Sequence, residues 1–336
     1  MRVSSKSTSK KRLRTLIVGC GAIAGGYDES SRYPSQVLSH AGAYRAHGGF
    51  QLMGCVDPDA DRRAAFARHW QVRAGFADLE AALAHETYDI VSLCGPDAVH
   101  EAHLKRVLEA SPKAVFCEKP MVANGRAGAR LSRAFAERGV LLAVDYSRRF
   151  DPTLRALAQE IAGGAWGDLQ NASARYGRGI RHNGCHLLDL LHLLLGPLRF
   201  EQALSARIDH VADDPTVDAV LRSRTGAPIV LLGADSRDFA LFEVELLFAR
   251  GQIRIEDSGF RLTRREARKD SRFPAYRTLG KPRSEATELS RALLHAVGNL
   301  YDGVVKGAAL LSDGTGAVAA ETLADRIRRA GLDLLA

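Results

Sequence analysis

The chain is poor in cysteine, tryptophan and methionine, with five, two and three residues among 336. None of the cysteines (Cys20, Cys55, Cys94, Cys117 and Cys185) forms a C-x-x-C pair, which argues against a disulfide framework or a cysteine-rich zinc module. Four fall in or beside expected buried strands, so they read as reduced core thiols and a cytoplasmic setting is expected. No run approaches the roughly 18 apolar residues of a membrane span; the richest, from Leu187 to Leu195, is interrupted by Asp189 and His192. The first fourteen residues hold six cations and no acid. They lack the apolar core of a secretory signal and read as a disordered basic tail over residues 1–12, with a transit peptide as the alternative. Internal repeats are missing, and low complexity is confined to that tail.

Charge is unevenly placed. The formal net charge is +8, yet the first fourteen residues and the segment from Arg261 to Arg283 together carry +13, leaving about −5 on the rest. Neither patch resembles a named nucleic-acid motif, so no nucleic-acid partner is expected, and no membrane partner either. The length admits about two domains, and 46% hydrophobic with 26% charged residues is ordinary for a soluble globular protein.

What is present is a strand–turn–helix signature. Leu16-Ile17-Val18 runs into Gly19-Cys20-Gly21-Ala22-Ile23-Ala24, the G-x-G-x-x-G/A dinucleotide fingerprint. Gly19 permits the tight turn, Gly21 lets backbone approach a pyrophosphate, and Ala24 lets helix and strand pack closely. The free N–H groups where Ala22 and Ile23 open the helix favour phosphate. A second strand, Gln51–Val56, ends at Asp57, the position that accepts the adenosine ribose hydroxyls. The charge there disfavours a 2′-phosphate, so NAD is expected ahead of NADP. Between these pieces lies a polar insert, Asp28–Ser39, read as a surface loop or a cover over the cofactor.

Helical and strand patterns alternate to Val144, which argues for a parallel doubly wound sheet. Beyond Phe150 come a helix from Thr153 to Ile161, a strand Leu169–Tyr176 and a helical Cys185–Leu195. Five β-like runs follow between Phe200 and Glu256, and helices around Glu285–Val305 and Gly316–Ala330 close the chain. The expected fold is an α/β Rossmann N-terminal domain (13–148) plus an α+β C-terminal domain with a largely antiparallel open sheet (149–336). The second domain is expected to bind substrate and to support a homodimer or homotetramer.

Two stretches stand out chemically. Cys117-Glu118-Lys119-Pro120 ends a parallel strand, where such sheets bind ligands. In His182-Asn183-Gly184-Cys185-His186-Leu187-Leu188-Asp189, a regular helix would put His182, His186 and Asp189 within about one 60° sector. Such polar groups are costly to bury on a Leu-rich helix. The i, i+4 histidines would also suit a metal, but a nicotinamide site accounts for both and no metal is expected. His192 reads as a satisfied core or interface histidine.

With the glycine turn, the Cys94-Gly95-Pro96-Asp97-Ala98-Val99-His100 loop and Tyr146-Ser147-Arg148-Arg149-Phe150-Asp151-Pro152, these stretches resemble the Gfo/Idh/MocA family (glucose-fructose oxidoreductase and inositol dehydrogenase). The resemblance covers nearly the whole chain. It implies a nicotinamide-dependent dehydrogenase or ketoreductase acting on a CH–OH group of a sugar, sugar nucleotide or cyclitol. It places Lys119 and His186 in the active site, with a Lys–Pro bond often cis, and brings Pro96, His100, Glu118 and Lys119 to the cofactor. The family usually has Asp four residues before the histidine. His182 stands there instead, as a third catalytic candidate, and Asp97 replaces a common Asn.

Two imidazoles beside an ammonium should depress each other's pKa, so His186 is expected to be neutral at rest, with Asp189 or Asn183 orienting it. For the substrate, the candidates are Asn183, Tyr176, Arg178 and Arg149, although Arg149 also reads as packing between domains. Arg175, Arg178 and Arg181 suit an oxyanion or a solvated strand equally well. A non-catalytic nucleotide-binding regulator on the same fold is the second reading, admitted by His182. Redox-assisted glycoside cleavage is a rarer third.

Overall fold

Strand β1 (Leu13–Val18) is buried at five of its six positions. A parallel strand covered on both faces needs such a continuous apolar run. It pairs in parallel with β2 (Phe50–Val56) on one side and, on the other, with β4 (Ile90–Leu93). With β3 (Ala74–Phe76), β5 (Ala114–Cys117) and β6 (Leu141–Val144), the strand order is β3-β2-β1-β4-β5-β6. The order reverses between β1 and β4, the switch point at which dinucleotides bind. In this computed structural model the described residues are 12–29, 35–122 and 124–336. The basic tail up to residue 11 and part of the insert (30–34) therefore lie outside them.

The chain forms two units, each discontinuous in sequence. The first comprises residues up to Glu118, Ala134–Ala143 and Leu293–Leu310; the second comprises Lys119–Arg133, Val144–Ala292 and Leu311–Ala336. A single cut at residue 148 was the expectation, and the late helix is what departs from it. That helix spans Ala292–Lys306 rather than starting near Glu285. From Leu293 onward it belongs to the first unit, where the Tyr301 ring packs at 4.9 Å from His47 and 5.7 Å from Phe50.

The second unit holds a nine-stranded sheet. Its strands are β7 (Leu169–Tyr176), β8 (Arg199–Val211), β9 (Asp214–Arg222), β10 (Pro228–Gly233), β11 (Phe242–Phe248), β12 (Gly251–Glu256), β13 (Arg261–Lys269), β14 (Arg277–Leu279) and β15 (Arg283–Ala286). The order is β14-β13-β12-β11-β7-β10-β9-β8, with β15 beside β13. Every pairing is antiparallel except β7 with β10. Strand β11 alternates buried and half-buried positions along its length, the period-two signature of a sheet with one face on a core. Helix Gly314–Asp333 packs on β8, β9 and helix Cys185–Leu195, which also meets helix Pro152–Ala162. The basic Arg261–Arg283 segment is itself sheet, and Arg264 pairs there with Glu160 at 3.2 Å and with Glu285. No described helix is long and apolar enough to cross a membrane.

Candidate active site

In the first unit, β1 ends in a turn whose glycines can be tested as a phosphate cradle. Gly19 has φ +92°, and a Cβ there would lie 2.9 Å from the Cys94 and Gly95 backbone, so only glycine fits. Gly21 has open space where a side chain would be. The helical turn after it, Ala22–Gly26, is a π-turn with no capping side chain and no acid. Open backbone with uncapped N–H groups suits an anionic pyrophosphate, so these residues fit the dinucleotide. The regular helix expected here is a π-turn continued by a three-residue α segment, Tyr27–Glu29.

The insert that follows is pinned at both ends. The Asp28 carboxylate accepts from the Leu38 and Ser39 amides, each at 2.9 Å, and from the Ser39 hydroxyl at 2.6 Å. Its middle, on which the cover reading depends, lies outside the described residues.

Asp57 closes β2 almost fully buried. Its carboxylate accepts from the Cys20 amide at 2.9 Å and the Asp59 amide at 3.0 Å. Each oxygen carries two lone pairs, so capacity for ribose hydroxyls remains. Pro96 caps the exposed start of helix Asp97–Ala110. His100 departs from the expectation: it is fully buried, with Nε2 2.9 Å from the Gly95 carbonyl oxygen. It therefore fastens the loop rather than touching a cofactor.

Sequence reasoning missed two residues here. Gly25 sits where a Cβ would fall 2.3 Å from Trp70 Nε1, which makes it the glycine of close helix packing. Buried His40 joins Glu118 Oε1 (3.1 Å) to the Ser92 hydroxyl (3.2 Å), which in turn lies 2.6 Å from the Tyr44 hydroxyl. A histidine opening a helix gives no sequence signal for such a partner.

The second unit begins at Lys119, whose bond to Pro120 is cis. The Lys119 ammonium donates to the His182 carbonyl at 2.6 Å. His182 is not on the regular helix with His186: it lies in a π-turn, Gly179–Gly184, and the α-helix starts at Cys185. The single-stripe geometry expected for His182, His186 and Asp189 therefore does not hold. Asp214 fixes that turn by accepting from the Arg181 amide (2.8 Å) and the His182 amide (2.9 Å).

Both imidazoles are held neutral. Burial, then Lys119 and Arg178, push His182 down to about 4. Burial, then Lys119, Arg148 and His182, push His186 well below the ordinary histidine value. The direction is the one expected from the sequence.

Beside His186 stands the buried Tyr146 ring, 5.6 Å away and nearly perpendicular. The Tyr146 hydroxyl donates to Glu321 at 3.3 Å, and Glu321 also accepts from the Met121 amide at 2.6 Å and the Val122 amide at 3.4 Å. Burial raises the Glu321 carboxyl to about 7 against these hydrogen bonds.

Four further expectations are corrected. Asp189 does not orient His186; it is taken by Arg149, whose Nε donates to it at 2.7 Å. That ion pair makes Arg149 an anchor of the helix rather than a substrate group. Tyr176 is fully buried, its hydroxyl donating to the Val217 carbonyl and accepting from the Val217 amide, so it reaches no substrate. His192 is half-buried, and its Nε2, itself buried, lacks a hydrogen-bond partner among the described residues, so it is not satisfied. Asn183 and Arg178 do line a cavity with His182, of about 470 Å³. Its wall includes Arg148, which the sequence reading left aside.

Residues 13–146 match the family described as "Oxidoreductase family, NAD-binding Rossmann fold", GFO_IDH_MocA. That match covers the dinucleotide-binding part of the chain. Among Gfo/Idh/MocA relatives it is similar to D-apiose dehydrogenase of Paraburkholderia graminis, 25% identical over 68% of this chain and 62% of that protein. It is also similar to inositol 2-dehydrogenase of Corynebacterium glutamicum, 29% identical over 47% of this chain and 44% of that one. The matches thus span less than two thirds of these curated relatives. In fold, it superposes on the WlbA dehydrogenase of Bordetella pertussis in complex with NADH and UDP-GlcNAcA, with TM-score 0.75 and 21% identity over 96% of this chain and 97% of that one.

Proposed function

We propose that this chain is an NAD-dependent dehydrogenase or ketoreductase of a CH–OH carbon on a sugar, sugar nucleotide or cyclitol, working as a cytoplasmic homodimer or homotetramer. The observation that carries the reading is that the Lys119 ammonium is bonded to the His182 main-chain carbonyl and, after burial, is the next cause holding the His182 and His186 imidazoles neutral, all within one unit. Gly19, Gly21, Ala22, Ile23 and Asp57 would hold the dinucleotide, with Pro96 and Glu118 of the same unit beside it. Bound NAD supplies the hydride acceptor.

The chain's own residues supply the rest. An imidazole held neutral has a ring nitrogen free to take the hydroxyl proton, which makes His186 the base for oxidation and, reversed, the acid for reduction. The Lys119 ammonium, held in place by the His182 carbonyl, stabilises the oxygen as it becomes an alkoxide. His182 stands where a carboxylate would favour a protonated partner, and its neutrality keeps the base available. The buried Asp57 carboxylate repels a 2′-phosphate and so favours NAD.

The test is absorbance of reduced nicotinamide during incubation with NAD and a panel of polyols, sugars, sugar acids and sugar nucleotides. Turnover that falls about 10²-fold or more in Lys119→Met and His186→Asn, with NADH binding retained, supports the enzyme. Cofactor binding without turnover on any compound supports the regulator instead.

A further inference from the structure

The cavity beside His182, lined by the substrate candidates Asn183 and Arg178, has a charge distribution that a neutral sugar does not need. Three guanidinium groups reach its wall (Arg148, Arg178 and Arg237) against one carboxylate, Asp209. Arg237 is paired with Asp235 at 2.6 Å. Asp209 accepts from the Arg178 amide, the Ser236 amide and the Thr216 hydroxyl, all within 2.9 Å. Asp189, Asp145 and Asp151 act on Arg148 through space, and Asp189 itself is hydrogen-bonded to Arg149 instead.

Arg148 is fixed rather than loose. Its guanidinium lies 3.6 Å from the centre of the Phe242 ring, Nη2 donates to the Ser258 carbonyl at 2.9 Å, and Nε is buried without an acceptor. Arg178 is exposed and sits at φ +68°, a conformation that costs a non-glycine residue and persists only where its surroundings impose it. Here the hydrogen bond from its backbone N–H to the Asp209 carboxylate, at 2.8 Å, imposes it. A guanidinium fixed by its ring and carbonyl contacts, Arg148, and an exposed one carried on a pinned backbone, Arg178, suit a planar or tetrahedral oxyanion.

We propose that the substrate is anionic, with a carboxylate or phosphate seated between Arg148 and Arg178 in the cavity that His182 and Asn183 also line. The proposal rests on reading that cavity as the substrate site, and its test separates the two. NADH-loaded protein is titrated calorimetrically with D-glucuronate, tartrate, inorganic phosphate and UDP-glucuronate, and with D-glucose and myo-inositol. The same compounds are offered with NAD for turnover.

At least one anion is expected to bind, more weakly as salt rises, with its affinity reduced about 10- to 100-fold in Arg178→Asn. That variant keeps a residue that tolerates the left-handed backbone, and Arg148→Lys provides a second, packing-conserving test. A carboxylate arm that binds while phosphate does not assigns a sugar acid; UDP-glucuronate binding far above glucuronate assigns the nucleotide phosphates. Equal or tighter binding of the neutral compounds, no binding of any anion, or affinity unmoved in Arg178→Asn overturns the proposal. Turnover of a neutral polyol that is lost in Lys119→Met would do so while leaving the oxidoreductase standing. Arg178-dependent anion binding with no turnover would do the reverse.

Discussion

The ammonium of Lys119 donates to the main-chain carbonyl of His182 at 2.6 Å, so the site's cation is fastened to the turn that carries its first imidazole. Replacing Lys119 by Met removes both the charge and the tether. A fall in kcat of about 10²- to 10³-fold is expected, with NADH affinity, read by fluorescence titration, nearly retained. The same variant reports on electrostatics. Burial outranks Lys119 among the causes that hold His182 at about 4. The His182 pKa, followed by NMR, should therefore rise in Lys119→Met yet stay below 6.5.

The neutral imidazoles predict a pH dependence with a definite sign. His182 and His192 are each lowered to about 4 in the fold, so the unfolded chain binds more protons between pH 4 and 6.5. Their contribution to stability is fully present above pH 6.5 and is lost as pH falls towards 4. Chemical-denaturation midpoints at pH 7 and pH 5 should show His192→Gln losing less stability on acidification than the parent. For catalysis, oxidation should show no essential group on His186 titrating above pH 8. An alkaline limb that disappears in His186→Asn would contradict the mechanism.

Glu321 titrates with the opposite sign. Its carboxyl is raised from 4.5 to about 7, so the native state holds a proton that the unfolded chain has released. That stabilisation is present below pH 4.5 and declines as pH rises through 7, by roughly 3 kcal/mol at most. Glu321→Gln should remove this slope, seen in urea midpoints at pH 5, 6, 7 and 8. Glu321 also bonds both the chain just beyond Lys119–Pro120 and the tyrosine beside His186. The variant should therefore alter the kcat profile around pH 7, a readout that a purely structural acid would leave unmoved.

Asp57 predicts cofactor choice. Arg62 lies 3.5 Å from the Asp57 carboxylate and is half exposed. Asp57→Ser removes the repulsion and leaves that guanidinium for a 2′-phosphate. The ratio of NAD to NADP affinity should fall about tenfold or more, measured by titration of the reduced forms.

Much of the architecture was legible because its signals are local. The β1 run, Gly19 and Gly21 act within one turn, and the apolar runs of β2, β4 and β5 need no partner to be recognised. The β13 to β15 region escaped because nine basic residues mask its alternation, and their acids, such as Glu160, lie far away in sequence. In the site, the residue types were legible and their partners were not. His182 and His186 were visible, but the π-turn that separates them depends on Asp214, some thirty residues later. Asp189 looked like an orienting acid until Arg149, forty residues earlier, claimed it. Arg148 and Arg149 are adjacent and chemically identical; only the fold sends one to the cavity and the other to an ion pair.

The return of helix Ala292–Lys306 to the first unit sets how this chain could be recombined with its relatives. A graft that exchanged everything after residue 148 would import a foreign helix against Phe50 and His47, or leave that aromatic surface bare to solvent. Segment-swapping between such oxidoreductases should therefore preserve function only when residues 293–310 travel with the amino-terminal parent. A single crossover would fail through the stability of the dinucleotide half, not through loss of the catalytic histidine.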